Sequence, residues 1–326
     1  MMRTTGTLLG IALAAAFLGC SSEKTATEKP KAAKAKTKIT VGFSQIGAES
    51  SWRTAETNSI IEEAKKRGID LKFSDAQQKQ ENQIRALRSF IAQGVDAIIL
   101  APKVKSGWDV VLREAKEAGI PVVLVDRGIE VPDPSLYATL IASDFVEEGR
   151  MAAEWLVKKT GGKCKVVQLE GTPGSDPAND RKKGFEEVIA KHPGIEIIAS
   201  QTADFRRSEG KRVMANIINA KGKDIQAVYA HNDDMALGAI QALEAAGMNP
   251  GKDVLVVSID GVRDAFLAMI EGKLNATVEC NPLLGPAAFD AVEKILRGEK
   301  VPKRIVVKDR IFTQETAAED IKTRKY

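Results

Sequence analysis

Short β-branched runs alternate with amphipathic segments along this chain, and the alternation occurs twice. The first series is ITVGFSQ (39–45), IDLKFSD (69–75), VDAIILAP (95–102) and IPVVLVD (120–126). Runs this apolar and this short fit parallel strands buried on both faces. Helical segments lie between them. One is expected from about Trp52 to Arg67, ending at Gly68. A second places Ile84, Leu87 and Ile91 on one face and ends at Gly94. A third passes Trp108, Leu112 and Ala115 to Gly119, with Pro121 beyond. Glycine after the last periodic residue is the usual helix stop. The second series is CKVVQLEG (164–171), IEIIASQTAD (195–204), IQAVYAHND (225–233) and DVLVVSIDG (253–261), each followed by a helical segment. Strand–helix alternation of this kind gives a doubly wound parallel sheet. Two such series predict an α/β protein of two lobes with a cleft between them, and 326 residues suffice for both cores.

The first 37 residues have a different character. MMRTTGTLLGIALAAAFLGCSS carries one arginine and then an apolar run, residues 8–18, too short to span a bilayer. The pattern reads as a signal peptide, residues 1–20. Its end, FLGC, is similar to bacterial lipoprotein signals, in which the cysteine receives lipid, so Cys20 is the expected lipid anchor. The alternative is cleavage by the ordinary signal peptidase, with Cys20 a bystander. Residues 21–37 lack any apolar period and read as a flexible tether. The formal net charge of +4 belongs to this leader. Arg3 supplies one positive charge, and residues 21–37 hold five lysines against two glutamates, so residues 38–326 balance. A neutral body has no electrostatic footprint for nucleic acid.

In open α/β sheets ligands bind beyond the carboxyl ends of the strands. The residues there are Glu49, Ser50, Ser51, Trp52 and Arg53; Asp126 and Arg127; Arg181 at the next helix start; Phe205; Asn232; Asp260; and Glu279. Each has an ordinary explanation on its own. Asp126–Arg127 could be a surface ion pair of little value. Asn232 is a good N-cap, and Asp233 and Asp234 suit the helix N-terminus that follows. Asp260–Gly261 could be a turn. Trp108 and Trp155 sit on helical apolar stripes and read as packing residues. Together, however, nearly every strand end carries a planar or fork-shaped polar group, and aromatics make up only 5% of the chain. A sugar requires that combination. Its hydroxyls donate and accept, which Asp, Asn and Arg can satisfy in pairs, and its C–H faces stack on aromatic rings.

Catalytic readings have less support. There is no GxGxxG after the first strand, no GxxxxGK[ST] and no GxSxG. Cys20, Cys164 and Cys280 lie far apart without a CxxC, and His192 and His231 are the only histidines, so neither a zinc site nor histidine catalysis is indicated. Two carboxylates could form a glycosidase pair, but Asp126 sits beside Arg127, an arrangement better suited to gripping hydroxyls.

The stretches VVLVDRGI, AHNDDMALGAIQALEAAG and VVSIDG resemble the periplasmic sugar-binding proteins of the ribose/galactose type, which share their fold with the ligand cores of LacI-type repressors. The resemblance covers residues 38–326. VGFSQIGAESSWRTAETN, DAQQKQENQIRALRSFIAQGVDAI, SGWDVVLREAKEAGIPVVLVDR, DRKKGF and VYAHNDDMALGAIQA are most similar to the galactofuranose-binding branch of that family, the substrate-binding components of bacterial ABC transporters.

The resemblance implies a type I periplasmic binding fold with a hinge of three segments. One lobe would comprise residues 38–141 and 281–307, the other residues 142–280 and 308–326. It implies that the strand-end residues above hold a monosaccharide, with galactofuranose favoured, and that Phe205 stacks on it. It further implies a monomer that closes on its ligand and docks on a permease with an ATPase subunit, without cofactor, metal or catalytic residues, at the periplasmic or cell-surface face of a membrane. A sugar sensor serving a chemoreceptor or kinase would use the same fold. A repressor core would need a DNA-binding segment where this chain has its leader, and a lipid-anchored glycosidase is a third alternative.

Overall fold

The computed structural model describes residues 38–326; the expected signal peptide, Cys20 and the tether lie outside them. Twelve strands are present among the described residues: β1 (Thr40–Gln45), β2 (Asp70–Asp75), β3 (Ala97–Leu100), β4 (Val122–Val125), β5 (Thr139–Ser143), β6 (Cys164–Glu170), β7 (Ile195–Thr202), β8 (Ala227–Ala230), β9 (Leu255–Asp260), β10 (Ala276–Glu279), β11 (Arg304–Val307) and β12 (Ile311–Thr313). The helices are α1 (Ser51–Lys66), α2 (Gln80–Gln93), α3 (Asp109–Glu117), α4 (Phe145–Thr160), α5 (Asp176–Ile189), α6 (Arg207–Lys221), α7 (Asp233–Ala245), α8 (Arg263–Ile270), α9 (Gly285–Leu296) and α10 (Ala317–Asp320).

The strands form two six-stranded sheets, ordered β11-β5-β4-β3-β1-β2 and β12-β10-β9-β8-β6-β7. All pairings are parallel except that β12 runs antiparallel to β10. This is the doubly wound α/β architecture expected of the repeated rhythm. Each sheet with its flanking helices is called a lobe below. The chain passes between the sheets three times: after β5, after β10 and after β11.

The central runs are buried on both faces, as expected, but two others are not: β2 has no buried residue and β7 only Ile195, because each lies at the edge of its sheet. In β3, Ile98 and Leu100 join one core cluster, while Ala97 and Ile99 join another with Ile60 of α1 and Phe289 and Val292 of α9. In β4, Val122 and Leu124 divide from Val123 and Val125 in the same way. Alternation along a strand therefore glues helices to both sides of the sheet. The helix ends follow local chemistry. Ser50 caps α1, accepting the Arg53 N–H at 3.1 Å, so the helix begins one residue before the expected Trp52. Gly94, at φ 62°, ends α2 in the left-handed conformation.

Parallel pairing points the carboxyl ends of β1 to β5 and β11 one way in the first sheet, and those of β6 to β10 one way in the second. The loops after β1 and β4 in the first lobe, and after β6 to β9 in the second, therefore share one rim each, and the two rims face one another across a cavity.

Candidate functional site

Glu49, Ser50, Trp52, Arg53, Asp126 and Arg127 line this cavity from the first lobe. Pro177, Arg181, Phe205, Asn232 and Asp260 line it from the second. It holds about 270 Å³ of atom-free space, part of it open to solvent. Hydrogen bonds from Ser51 to Asp234 and from Gly128 to Asp176 draw the lobes together beside it. A space this small has no room for an oligomer.

Three buried guanidiniums organise the walls. The cap at Ser50 places Trp52 and Arg53 in the first turn of α1. Arg53 donates from Nε to Glu49 at 3.0 Å and from Nη2 to Asp126 at 2.7 Å, and also bonds Glu56. Arg127 donates to the Lys103 carbonyl at 2.9 Å and lies 3.4 Å from the Asp126 carboxylate. From the second lobe, Arg181 on α5 donates to Glu148 at 2.7 Å and to the His231 carbonyl at 2.6 Å, and approaches Asp260 at 3.6 Å. All three guanidiniums are at most 4% exposed.

Aromatic faces complete the walls. Trp52 donates its ring N–H to the Cys280 carbonyl at 2.5 Å, which fixes the indole across the cleft, and Arg53 sits 4.8 Å from the ring centroid. Phe205 lies 5.4 Å from the Arg127 guanidinium carbon. Its ring occupies space that only a glycine leaves free, since a Cβ on Gly171 would fall 1.9 Å from it. Among the described residues, six non-glycines have positive φ, and three of them, Asp126 (63°), Phe205 (61°) and Asp260 (133°), line this cavity. Backbone strain of this kind persists where the surroundings enforce it and concentrates at functional sites.

The electrostatics follow from burial opposed by pairing. Burial pushes the Glu49 carboxyl up, but Arg53 and Arg127 more than offset it and hold Glu49 below its usual range. Burial raises Glu56 to about 7 despite Arg53, with Asp126 adding to the rise. Burial likewise raises Asp260 well above, and Glu148 above, the ordinary carboxylate range. Burial lowers Arg127, and neighbouring Arg53 lowers it further. The site thus holds carboxyls pushed in opposite directions, Glu49 down by its guanidiniums and Asp260 up by burial.

Ten of the twelve residues expected at the strand ends come together here. Ser51 does not line the cavity; its N–H and hydroxyl both bond Asp234, at 2.9 and 2.8 Å. Glu279 does not line it either. Its carboxylate accepts from Arg324 at 2.7 Å and from Tyr326 at 3.3 Å, both in the C-terminal tail. Asn232 serves as the expected cap, accepting the Met235 N–H at 3.0 Å, and lines the cavity as well. His231 is fully buried, held by Gln168 at 3.0 Å and by the Gly171 N–H at 3.3 Å, and burial keeps it neutral. Trp108 is fully buried and Trp155 packs against the core. Sequence reasoning missed Pro177, and it missed Glu56 and Glu148, the buried partners of Arg53 and Arg181. Among the described residues, no group of three or more His, Cys, Asp and Glu side chains is arranged to hold a metal ion.

Comparison with known proteins agrees with this geometry. The periplasmic binding protein domain profile matches residues 41–300. The galactofuranose-binding protein YtfQ of Escherichia coli (strain K12) is 54% identical over 291 residues, 88% of this chain and 92% of that protein. The ribose import binding protein RbsB of Bacillus subtilis (strain 168) is 37% identical over 297 residues, 91% and 94% of the two chains. Among solved structures, the periplasmic binding component of the arabinose ABC transporter from Shewanella sp. ANA-3, bound to α- and β-L-arabinofuranose, superposes with a TM-score of 0.86 at 56% identity, covering 88% of this chain and 96% of that one.

Proposed function

Since the chain belongs to the periplasmic binding protein domain family, we propose that it is the extracytoplasmic sugar-binding component of an ABC transporter, taking one monosaccharide in furanose form, with galactofuranose favoured. The carrying observation is the cavity itself: three guanidiniums, each within ion-pair distance of a carboxylate, lie around two aromatic rings in a small space between the lobes. Paired charges offer oriented donors and acceptors to neutral hydroxyls, while Trp52 and Phe205 offer apolar faces to carbon. The relatives' sugars support the furanose preference, since the Shewanella protein holds arabinofuranose and the Escherichia coli protein is named for galactofuranose.

Binding proceeds by closure. In this reading one lobe comprises residues 38–141 and 281–307 and the other residues 142–280 and 308–326. The first crossover lies close to the end of β5 at Ser143. Ligand contacts made only in the closed form shift the lobes toward it. The closed monomer then docks on a permease whose ATPase subunit drives uptake. Cys20, through lipid, and the tether of residues 21–37 keep the receptor at the membrane. The protein performs no turnover: the cavity carboxylates grip hydroxyls. Titration of the intrinsic tryptophan fluorescence with galactofuranose, galactopyranose, ribose and arabinose tests the reading. A saturable change is expected with galactofuranose at concentrations where galactopyranose gives none. No response to any furanose would refute it.

A further inference from the structure

Two carboxylates of the second lobe bond the first lobe beside the cavity without lining it. Asp176, the first residue of α5, accepts the Gly128 N–H at 2.9 Å and pairs with Lys105 at 3.1 Å. The Lys105 N–H bonds the Gly174 carbonyl at 3.0 Å alongside. On the other side Asp234, in the first turn of α7, accepts the Ser51 N–H and hydroxyl at 2.9 and 2.8 Å, and Arg207 of its own lobe holds its second oxygen at 2.9 Å. Asp176 is 7% and Asp234 5% exposed. Neither belongs to the cavity lining, nor do Gly128, Ser51 or Lys105.

The chain positions of the bonded amides matter. Gly128 directly follows Arg127, and Ser51 directly precedes Trp52. Each second-lobe carboxylate therefore grips the backbone next to a cavity-lining pair of the first lobe. Opening the cleft separates both carboxylates from these donors. A hydrogen bond to a charged acceptor is worth more than a neutral one, and bonds present only in the bound arrangement act chiefly on the rate of escape. Gly128 is shaped for its contact: a Cβ there would lie 2.8 Å from the Asp176 carboxylate oxygen, and its φ lies outside the left-handed region, so alanine would fit the backbone and displace the carboxylate.

We propose that Asp176 and Asp234 are positioning residues that touch no sugar, hold the two sugar-lining loops of the first lobe against the second, and so set how long a bound sugar stays. The proposal rests on the sugar-receptor reading above. Its test uses Gly128→Ala, Asp176→Asn and Asp234→Asn in the whole protein, with galactofuranose as probe. Stopped-flow fluorescence gives association and dissociation rates, and small-angle scattering gives the radius of gyration with and without sugar. Roughly tenfold faster dissociation with association nearly unchanged is expected for each variant that keeps the wild-type urea midpoint. The sugar-saturated variants should still contract. Gly128→Ala leaves every charge in place, so its agreement with Asp176→Asn separates the contact from a general electrostatic effect. Dissociation rates within twofold of wild type, in a wild-type protein that binds and contracts, would overturn this proposal alone. A wild-type protein that neither binds nor contracts would overturn the receptor reading and this proposal with it.

Discussion

Glu56 offers a sharp test of the site's electrostatics. Its carboxyl is fully buried beneath the cavity wall, bonded by Gln45 at 3.0 Å and by Arg53, and its other oxygen has no hydrogen-bond partner. Burial raises it from the ordinary 4.5 to about 7, against the pull of Arg53 and with the push of Asp126. The folded protein therefore holds a proton between pH 4.5 and about 7 that the unfolded chain has released. Stability from this group is fully present below 4.5 and is lost as pH rises through about 7. At roughly 1.4 kcal/mol per pH unit, the loss across that window is about 3 kcal/mol. Glu56→Gln keeps the shape and can keep both bonds, but it does not titrate. Urea unfolding of wild type and variant from pH 4.5 to 8 should show the variant gaining about 3 kcal/mol relative to wild type. Asp233, raised to about 6, and Asp309, raised to about 8, titrate in both proteins and cancel in the difference. Parallel stability curves would refute the reasoning and place an ionised carboxylate in this site throughout.

Two further outcomes distinguish residues that face the cavity from those that do not. Trp52→Ala should weaken sugar binding by about 2 kcal/mol or more, as for loss of a buried aromatic anchor, measured by calorimetry; unchanged affinity would remove the indole from the sugar's surroundings. Glu279→Gln should leave sugar affinity within about twofold of wild type while lowering the urea midpoint, because the carboxylate serves Arg324 and Tyr326 rather than the cavity. A tenfold loss of affinity at unchanged stability would return Glu279 to the ligand.

The most legible parts of the fold are those whose burial is symmetric, although the runs over the edge strands β2 and β7 were also readable. β3, β4, β8 and β9 lie inside runs apolar enough to announce a two-faced core. The edge strands β11 and β12 alternate between half-exposed and exposed or buried positions, and four or three residues give too little period to detect. The cavity was legible where backbone topology alone places a residue, at strand ends such as Asp126 and Asp260. It was not legible where tertiary pairing decides. Glu56 and Glu148 stand in the opening turns of amphipathic helices, where carboxylates usually face solvent, and only the inward reach of Arg53 and Arg181 draws them under the wall. Glu279 stands at a strand end like the others, but Arg324, 45 residues later, captures it.

The pairing within the cavity also argues for the charge of its ligand. Arg53 divides its donors among Glu49, Glu56 and Asp126, and Arg181 divides its own among Glu148, the His231 carbonyl and Asp260. Arg127 is held more loosely: it donates to the Lys103 carbonyl, and its Nε has no hydrogen-bond partner among the described residues, so it keeps a donor for a hydroxyl; a cation would face Arg53, Arg127 and Arg181 at once. A buried ligand charge without a partner carries a desolvation penalty of several kcal/mol. A neutral polyol carries none of that penalty. Its hydroxyls can accept from the guanidiniums and donate to Glu49, while the existing pairs stay intact. The walls thus offer both halves of each hydroxyl's hydrogen-bonding capacity: guanidinium donors, and in Glu49 a carboxylate acceptor that Arg53 and Arg127 hold below its usual range.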